Sequence, residues 1–140
     1  MALSASKLKV GDTCAQRLVD DLKRTQIVQY AGASGDYNPL HTDEVYATEV
    51  AGYPAVFAHG MLTMGMTGKM LTDYVGDGRL KSFGVRFVKQ VWPGDTLEAV
   101  ATVRAVTHAG LEPIVELDVA TINQDGEQVL SGYATARIDP

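Results

Sequence analysis

The stretch MLTMGMTGKMLTDYV, residues 61–75, decides the fold. Its apolar residues cover most of the circumference of a helix, and only Lys69 and Asp73 are charged. A helix that is apolar nearly all round is a buried helix. Gly65 and Gly68 would weaken an exposed helix, but they let a neighbouring backbone approach closely. The sequence therefore predicts one long helix inside the protein.

Downstream of this helix the hydrophobic pattern has a period of two, which is typical of β-strands. The predicted strands cover 83–87, 97–103, 115–119 and 128–137. The turns between them are predicted at Trp92-Pro93-Gly94-Asp95, His108-Ala109-Gly110 and Gln124-Asp125-Gly126. Long strands joined by tight turns form antiparallel sheets. We therefore predict an α+β fold, in which an antiparallel sheet wraps around the long helix.

The front of the chain adds a strand and two shorter helices. A strand is predicted around 13–18, which makes about five strands in all. A helix follows from Leu22 to Ala31, with Asp20 or Asp21 as its N-cap. Glycines and a proline then impose a loop, and Asp43 is expected to cap a second helix near 44–50.

Length and charge limit the function classes. At 140 residues the chain suits one domain, residues 1–140, which can bury a core without a disulfide or a metal. Its 12 basic and 17 acidic residues give a net charge of -5. This balance argues against nucleic-acid binding, because nucleic-acid binders carry a basic footprint. A small anionic ligand that meets a local basic patch is still compatible with it.

The compartment is predicted from simple signals. One cysteine, Cys14, excludes an internal disulfide and fits a reducing compartment. Residues 1–7 lack a basic region followed by an apolar stretch, so no signal peptide is predicted. The longest weakly charged stretch, 54–68, contains polar residues and is shorter than the roughly 20 residues that span a bilayer. We expect a cytoplasmic protein without a membrane span.

The loop after the first helix carries a candidate proton-transfer pair. Asp36 and His41 lie five residues apart in a loop that Gly35 and Pro39 make compact. Histidine titrates near neutral pH, and with a carboxylate it is a usual component of an acid–base site. The alternative is that Asp36 and Asn38 form turns while His41 is an ordinary surface histidine. Local chemistry alone favours that alternative.

A longer motif changes this interpretation. The run Tyr30-Ala31-Gly32-Ala33-Ser34-Gly35-Asp36-Tyr37-Asn38-Pro39-Leu40-His41 resembles the signature of the MaoC-like (R)-specific enoyl-CoA hydratases and (3R)-hydroxyacyl thioester dehydratases. The resemblance extends through 58–62, 85–87 and 92–95, and thus over nearly the whole chain. It is particularly close to the catalytic subunits of mycobacterial (3R)-hydroxyacyl-ACP dehydratases. The family has the hot-dog fold, in which a sheet wraps around a long helix.

The resemblance implies a role for each matching residue. Asp36 and His41 would hold the water that adds to the enoyl double bond, and which of them is acid and which base stays open. Asn38 would position the aspartate loop or contact the substrate. The family also uses the glycine at Gly60 to bind the thioester carbonyl, and a free N–H at a helix N-terminus suits developing negative charge. His59 either contacts the substrate or packs against the helix.

The acidic residues and histidines of this region are also candidate metal ligands. Asp36, His41, Asp43 and His59 show no recognised metal spacing, so no metal is expected. No organic cofactor is expected either, since coenzyme A or phosphopantetheine arrives with the substrate.

Four basic residues occur with no acid between 77 and 95, namely Arg79, Lys81, Arg86 and Lys89. They meet the phosphates of coenzyme A or an acidic acyl carrier protein, with Arg86 contacting the substrate, or they are solvated strand ends.

The expected activity is thus reversible (R)-specific hydration of trans-2-enoyl thioesters by a hydro-lyase of lipid metabolism. The carrier is coenzyme A or an acyl carrier protein. Hot-dog proteins pair through sheet edges, so a homodimer or a heterodimer with a related subunit is expected. The last alternative is a subunit that binds acyl thioesters without turnover, which the presence of both Asp36 and His41 disfavours.

Overall fold

The computed structural model describes residues 2–108, 110 and 112–140. Its strands are β1 (Thr13–Val19), β2 (Leu80–Phe87), β3 (Leu97–Thr107), β4 (Ile114–Ile122) and β5 (Gln128–Arg137). Its α-helices are α1 (Arg24–Ser34), α2 (Pro39–Thr42) and α3 (Gly60–Val75), and a π-helical turn covers Tyr46–Val50. The strands form one sheet in the order β1-β3-β4-β5-β2, and every neighbouring pair is antiparallel.

Helix α3 packs against the inner face of this sheet, as the hydrophobic pattern predicts. The α3 side chains Met70, Leu71 and Val75 are fully buried. They form one core with alternate residues of β3, β4 and β5, which are Ala99, Ala101, Val103, Val115, Leu117, Val119, Ala134 and Ala136. The predicted α+β class and the hot-dog arrangement of an antiparallel sheet around one long helix are therefore confirmed.

The start of α1 differs from the prediction. The helix begins at Arg24, and its N-cap is Lys23, with no side-chain cap. The expected capping by Asp20 or Asp21 is wrong because Leu22 is bonded elsewhere. The Leu22 N–H donates to Asp95 O at 2.9 Å, and Leu22 O accepts from Gly94 N–H at 2.7 Å. This pairing with the turn before β3 keeps Leu22 outside the helix, and its side chain is buried.

Two other local predictions are confirmed. Asp43 caps the segment that follows it, since its Oδ1 accepts a hydrogen bond from Tyr46 N–H at 3.1 Å. The turn after Trp92 is closed by Asp95 N–H donating to Trp92 O at 3.0 Å. The turn predicted at His108-Ala109-Gly110 includes Ala109, which lies outside the described residues. Within the described ranges no helix combines the length and the hydropathy needed to cross a bilayer.

The first residue of α3 places the functional site. Gly60 follows an extended segment that runs back to Phe57, and Phe57 N–H donates to Leu40 O of α2 at 3.2 Å. Ala58 N–H bonds to Val91 O at 2.8 Å, which ties the same segment to the end of the sheet. The N-terminus of the buried helix therefore meets the loop that carries Asp36 and His41.

Candidate active site

The loop between α1 and α2 is held by side-chain turns. Helix α1 ends at Gly35, whose φ of 76° lies in the left-handed region that favours glycine. Asp36 Oδ1 accepts from Asn38 N–H at 3.3 Å, and Asn38 Oδ1 accepts from Leu40 N–H at 3.0 Å. Pro39 opens α2. Asp36 and Asn38 thus form the turns that the simpler interpretation predicted, and these turns fix the Asp36 carboxylate beside α2.

His41 is not an ordinary surface histidine. Its ring is half-buried, and Nδ1 lies 2.6 Å from Phe57 O. Because a carbonyl oxygen only accepts, Nδ1 must carry the proton in this hydrogen bond. The neutral His41 ring then has its lone pair on Nε2, which is the nitrogen that can accept a proton.

His59 lies behind this pair. Its side chain is only 2% exposed, and Nε2 donates to the backbone oxygen of Asp36 at 2.9 Å. Its ring stacks on His41 with 3.9 Å between centroids and meets Tyr30 edge-on at 4.8 Å. The structure therefore shows His59 in the packing role, in which it supports the Asp36 loop, and its contact with substrate stays a prediction.

The reactive groups converge. One carboxylate oxygen of Asp36 and one ring nitrogen from each of His41 and His59 all lie within 4.8 Å of one another. One water molecule between a carboxylate and an imidazole can hydrogen-bond to both at such separations. Burial lowers the pKa of His41, which the hydrogen bond to Phe57 partly offsets and the neighbouring His59 reinforces. A lowered pKa keeps His41 neutral near pH 7, as a base must be.

The same cluster has the residue types of a metal site but a different geometry. The His41 and His59 ring planes are inclined by only 26°. A metal lies in the plane of each imidazole that binds it, and two stacked rings do not direct their lone pairs to one nearby point. That this site takes no metal stays a prediction, and the ring stacking favours it.

A cavity borders the N-terminus of α3. Its volume is about 250 Å³, and Phe57, Gly60, Thr63, Phe87, Val91 and Val129 are among its lining residues. Gly60 is the first residue of α3, where the positive end of the helix dipole lies. Among the described residues the N–H groups of Gly60 and Met61 have no acceptor. Of these two residues Gly60 lines the cavity, so its N–H is available to a negatively charged oxygen there.

Gly60 also has a packing role that the sequence did not indicate. A Cβ atom at this position would lie 3.0 Å from the ring of Phe87. That distance is shorter than ordinary van der Waals contact, so a side chain here would displace the ring. The close neighbour of Gly60 in this structure is thus Phe87, and the glycine allows this ring to form one wall of the cavity.

The other predicted site residues take different positions. Asn38 holds the loop by its turn and is absent from the lining of the cavity. Arg86 lies on the opposite face of β2 from Val85, which packs against the core, and its contact with substrate stays a prediction.

Two of the four residues of the basic cluster are paired with acidic residues. Arg79 pairs with Asp139 at 2.9 Å, and Lys89 pairs with Glu127. Lys81 and Arg86 are exposed on β2. The cluster is therefore not the continuous free patch that the spacing of these residues suggested.

Three residues of the site were not predicted. Phe57 orients His41 through its carbonyl oxygen, and Tyr30 packs against His59. A backbone carbonyl that binds a distant side chain, or a ring that packs against one, leaves no signal in a sequence. Thr63 lines the cavity, and the available signal was its spacing of four from Thr67 on a helix that is otherwise largely apolar.

Comparisons with known proteins agree with this geometry. The MaoC like domain family matches residues 6–124 of the chain. The 3-hydroxyacyl-thioester dehydratase Y of Mycobacterium tuberculosis is 44% identical over 70 residues, which are 48% of this chain and 24% of that protein. The probable enoyl-CoA hydratase 2 of Dictyostelium discoideum is 34% identical over 118 residues, which are 82% of this chain and 37% of that protein. The chain thus spans less than two fifths of either relative.

A solved structure extends the similarity to the whole fold. The (R)-hydratase from A. caviae involved in PHA biosynthesis superposes with a TM-score of 0.83 at 26% identity. The superposition covers 96% of this chain and 99% of that one. Since the family match takes in the Asp36–His41 loop, α3 and most of the sheet, the chain belongs to the MaoC like domain family.

Proposed function

We propose that this chain adds water to trans-2-enoyl thioesters to give (3R)-3-hydroxyacyl thioesters, and that it catalyses the reverse dehydration. The observation that carries the proposal is the convergence of the Asp36 carboxylate and the His41 imidazole within 4.8 Å, next to the free N-terminus of α3. Water activation and stabilisation of an enolate are the two requirements of this reaction, and these groups supply both.

In the proposed proton transfer the two ring nitrogens of His41 have different roles. His41 Nδ1 donates to Phe57 O, so Nε2 takes a proton from the water that the Asp36 carboxylate also holds. The hydroxide oxygen bonds to C3, and the electrons of the double bond move toward the thioester oxygen. The proton returns from the Asp36–His41 pair to C2, which completes the hydration with no atom left over.

The charge that develops in this step lies on the thioester oxygen. Preorganised N–H donors lower the barrier when they point at the position where charge develops. In the proposed complex the N–H of Gly60 donates to this oxygen, at the positive end of α3. The acyl chain extends into the cavity, with Phe87, Val91 and Val129 among its apolar walls.

The names of the relatives support this reaction class. They are a 3-hydroxyacyl-thioester dehydratase, an enoyl-CoA hydratase and an (R)-hydratase, which act in one direction or the other of the same reaction. The proposed reaction uses no organic cofactor and no metal, and coenzyme A or phosphopantetheine enters as part of the substrate.

The partner is a second part of the proposal. Strand β2 is at one edge of the sheet and pairs with β5, so its other edge is open to another chain. Phe87 and Val88 are half exposed at the end of this strand. We propose that a second copy, or a related subunit, pairs along β2. Light scattering of the purified protein distinguishes a dimer from a monomer that needs a different partner.

The direct test is hydration of crotonyl-CoA and of crotonyl-acyl carrier protein by the purified protein. Loss of the enoyl thioester absorbance gives the rate, and chiral analysis of the released 3-hydroxybutyrate gives the configuration. We expect the 3R product and a rate that dialysis against EDTA leaves unchanged. A 3S product, or no turnover of either thioester by the protein in its native oligomer, contradicts the proposal.

A further inference from the structure

Thr63 has a buried hydroxyl group that the proposed mechanism does not use. The residue is 3% exposed and lies on α3 one turn after Gly60. Its Oγ1 is buried and has no hydrogen-bond partner among the described residues. Thr63 also lines the cavity beside Gly60. An unpaired buried hydroxyl costs free energy, so it calls for a partner.

The next threonine on the same helix provides a contrast. Thr67 Oγ1 donates to Thr63 O at 2.9 Å and lies 2.7 Å from Thr121 Oγ1. Both of these hydroxyl groups are buried and satisfied within the protein. The hydroxyl groups of Thr67 and Thr121 are therefore satisfied by partners within the chain, whereas that of Thr63, a residue of the cavity lining, is not.

The geometry of the helix directs the Thr63 side chain toward the thioester site. Side chains of an α-helix point back toward its N-terminus, over the residue three or four positions earlier. For Thr63 those residues are Gly60 and His59. Gly60 and Thr63 both line the cavity one helical turn apart, so this direction brings the Thr63 side chain toward the end of α3 that carries the unpaired Gly60 N–H.

We propose that Thr63 is a substrate-binding residue, whose hydroxyl donates a hydrogen bond to the thioester oxygen alongside the N–H of Gly60. This inference rests on the proposed function, because the oxygen it assigns to Thr63 is that of the acyl thioester. It gives the developing enolate two donors from one turn of α3, and the contact strengthens as negative charge moves onto the oxygen.

The experiment compares two substitutions that separate the hydroxyl from the shape of the side chain. Thr63→Val keeps the branched shape and removes the donor, while Thr63→Ser keeps the donor. Thr121→Val is the matched control, because it removes another buried threonine hydroxyl, away from the cavity lining. Initial rates with crotonyl-CoA and thermal melting are measured for each variant beside the wild type.

We expect Thr63→Val to lower kcat/KM about 10- to 100-fold, mainly through kcat, since the contact forms with a charged oxygen. Its melting temperature should equal or exceed that of the wild type, because no protein partner of the hydroxyl is lost. Thr63→Ser should keep within about threefold of the wild-type kcat, and Thr121→Val should keep full activity per folded molecule.

Two results would overturn the inference. Wild-type kcat in Thr63→Val shows that the hydroxyl does not contact the reacting oxygen. A lower melting temperature with unchanged kcat shows instead that a structural water pairs with Thr63. Inactive wild-type protein is a different outcome, since it removes the proposed function itself, whereas an active wild type with an equally active Thr63→Val removes only the role of Thr63.

Discussion

His41 and His59 stack with ring centroids 3.9 Å apart, and each histidine bonds to the backbone of the segment that carries the other. His41 Nδ1 donates to Phe57 O, two residues before His59. His59 Nε2 donates to Asp36 O, five residues before His41. The two segments are thus joined by a reciprocal pair of hydrogen bonds. Together with the α2 contact at Leu40, these bonds place Asp36 and His41 against the start of α3.

This reciprocal pair of hydrogen bonds predicts that His59 positions the Asp36 loop. His59→Phe keeps a ring to stack on His41 but removes the donor to Asp36 O. We expect kcat to fall about tenfold while KM changes little, because the carboxylate loop loses one anchor and the cavity keeps its shape. Steady-state kinetics with crotonyl-CoA measures both constants. A wild-type kcat in a folded His59→Phe protein would contradict the role.

Removing either member of the pair should stop the reaction. Both substitutions keep the approximate size of the side chain. Asp36→Asn removes the negative charge, and His41→Gln removes the base. We expect kcat to fall by about 10²- to 10⁴-fold in each, with little loss of stability, since Asp36 is exposed and His41 half-buried. Asp118→Asn, on the exposed outer face of β4, is the charge-matched control. Full activity in both variants would exclude the proposed pair.

The pH dependence follows from the lowered pKa of His41. Burial is the main cause, and the hydrogen bond to Phe57 and the charge of Asp36 oppose it. Hydration needs the neutral ring, so kcat/KM should fall only as the pH drops below the ordinary histidine value of 6.5. Asp36→Asn removes a charge that raises the pKa of His41. In an NMR titration the His41 midpoint should therefore move lower still, and a midpoint above 6.5 in the wild type would oppose this assignment.

Gly60 and Phe87 should be energetically coupled. A Cβ atom at position 60 would lie 3.0 Å from the Phe87 ring, so Gly60→Ala forces that ring to shift by a few tenths of an ångström in the cavity wall. We expect kcat/KM to fall about tenfold. Phe87→Leu leaves more room, and in that background Gly60→Ala should cost less, with a coupling of about 0.5–3 kcal/mol. A double-mutant cycle measures this value, and strictly additive effects would mean that the ring does not contact position 60.

The buried threonine pair predicts an asymmetry in stability. Thr67 donates to Thr63 O, so the Thr121 hydroxyl donates to Thr67 Oγ1. Thr67→Val removes the acceptor of Thr121 and leaves a buried hydroxyl unpaired, at a cost of about 1–3 kcal/mol. Thr121→Val leaves Thr67 bonded, so it should cost less. Urea unfolding of both variants measures the difference, and a larger cost for Thr121→Val would contradict the assigned direction of the bond.

Much of the fold could be predicted because its signals are local. The apolar residues of 61–75 indicate a buried helix without any knowledge of its neighbours, and α3 covers that stretch. Alternation in 97–103 and 115–119 likewise predicts which side chains face the core. The start of α1 could not be predicted, because the bonds that hold Leu22 outside the helix come from residues 94 and 95.

By itself the sequence determined the elements of the sheet, the buried helix and the identity of Asp36 and His41 as candidates, since period and motif need no distant contact. Only the tertiary structure decided that these two side chains converge. Their orientation depends on backbone carbonyl groups that lie 16 and 23 residues from the histidines that bind them. Tertiary structure also placed Thr63 and Phe87 beside Gly60, because the cavity forms only where α3, β2 and β5 pack together.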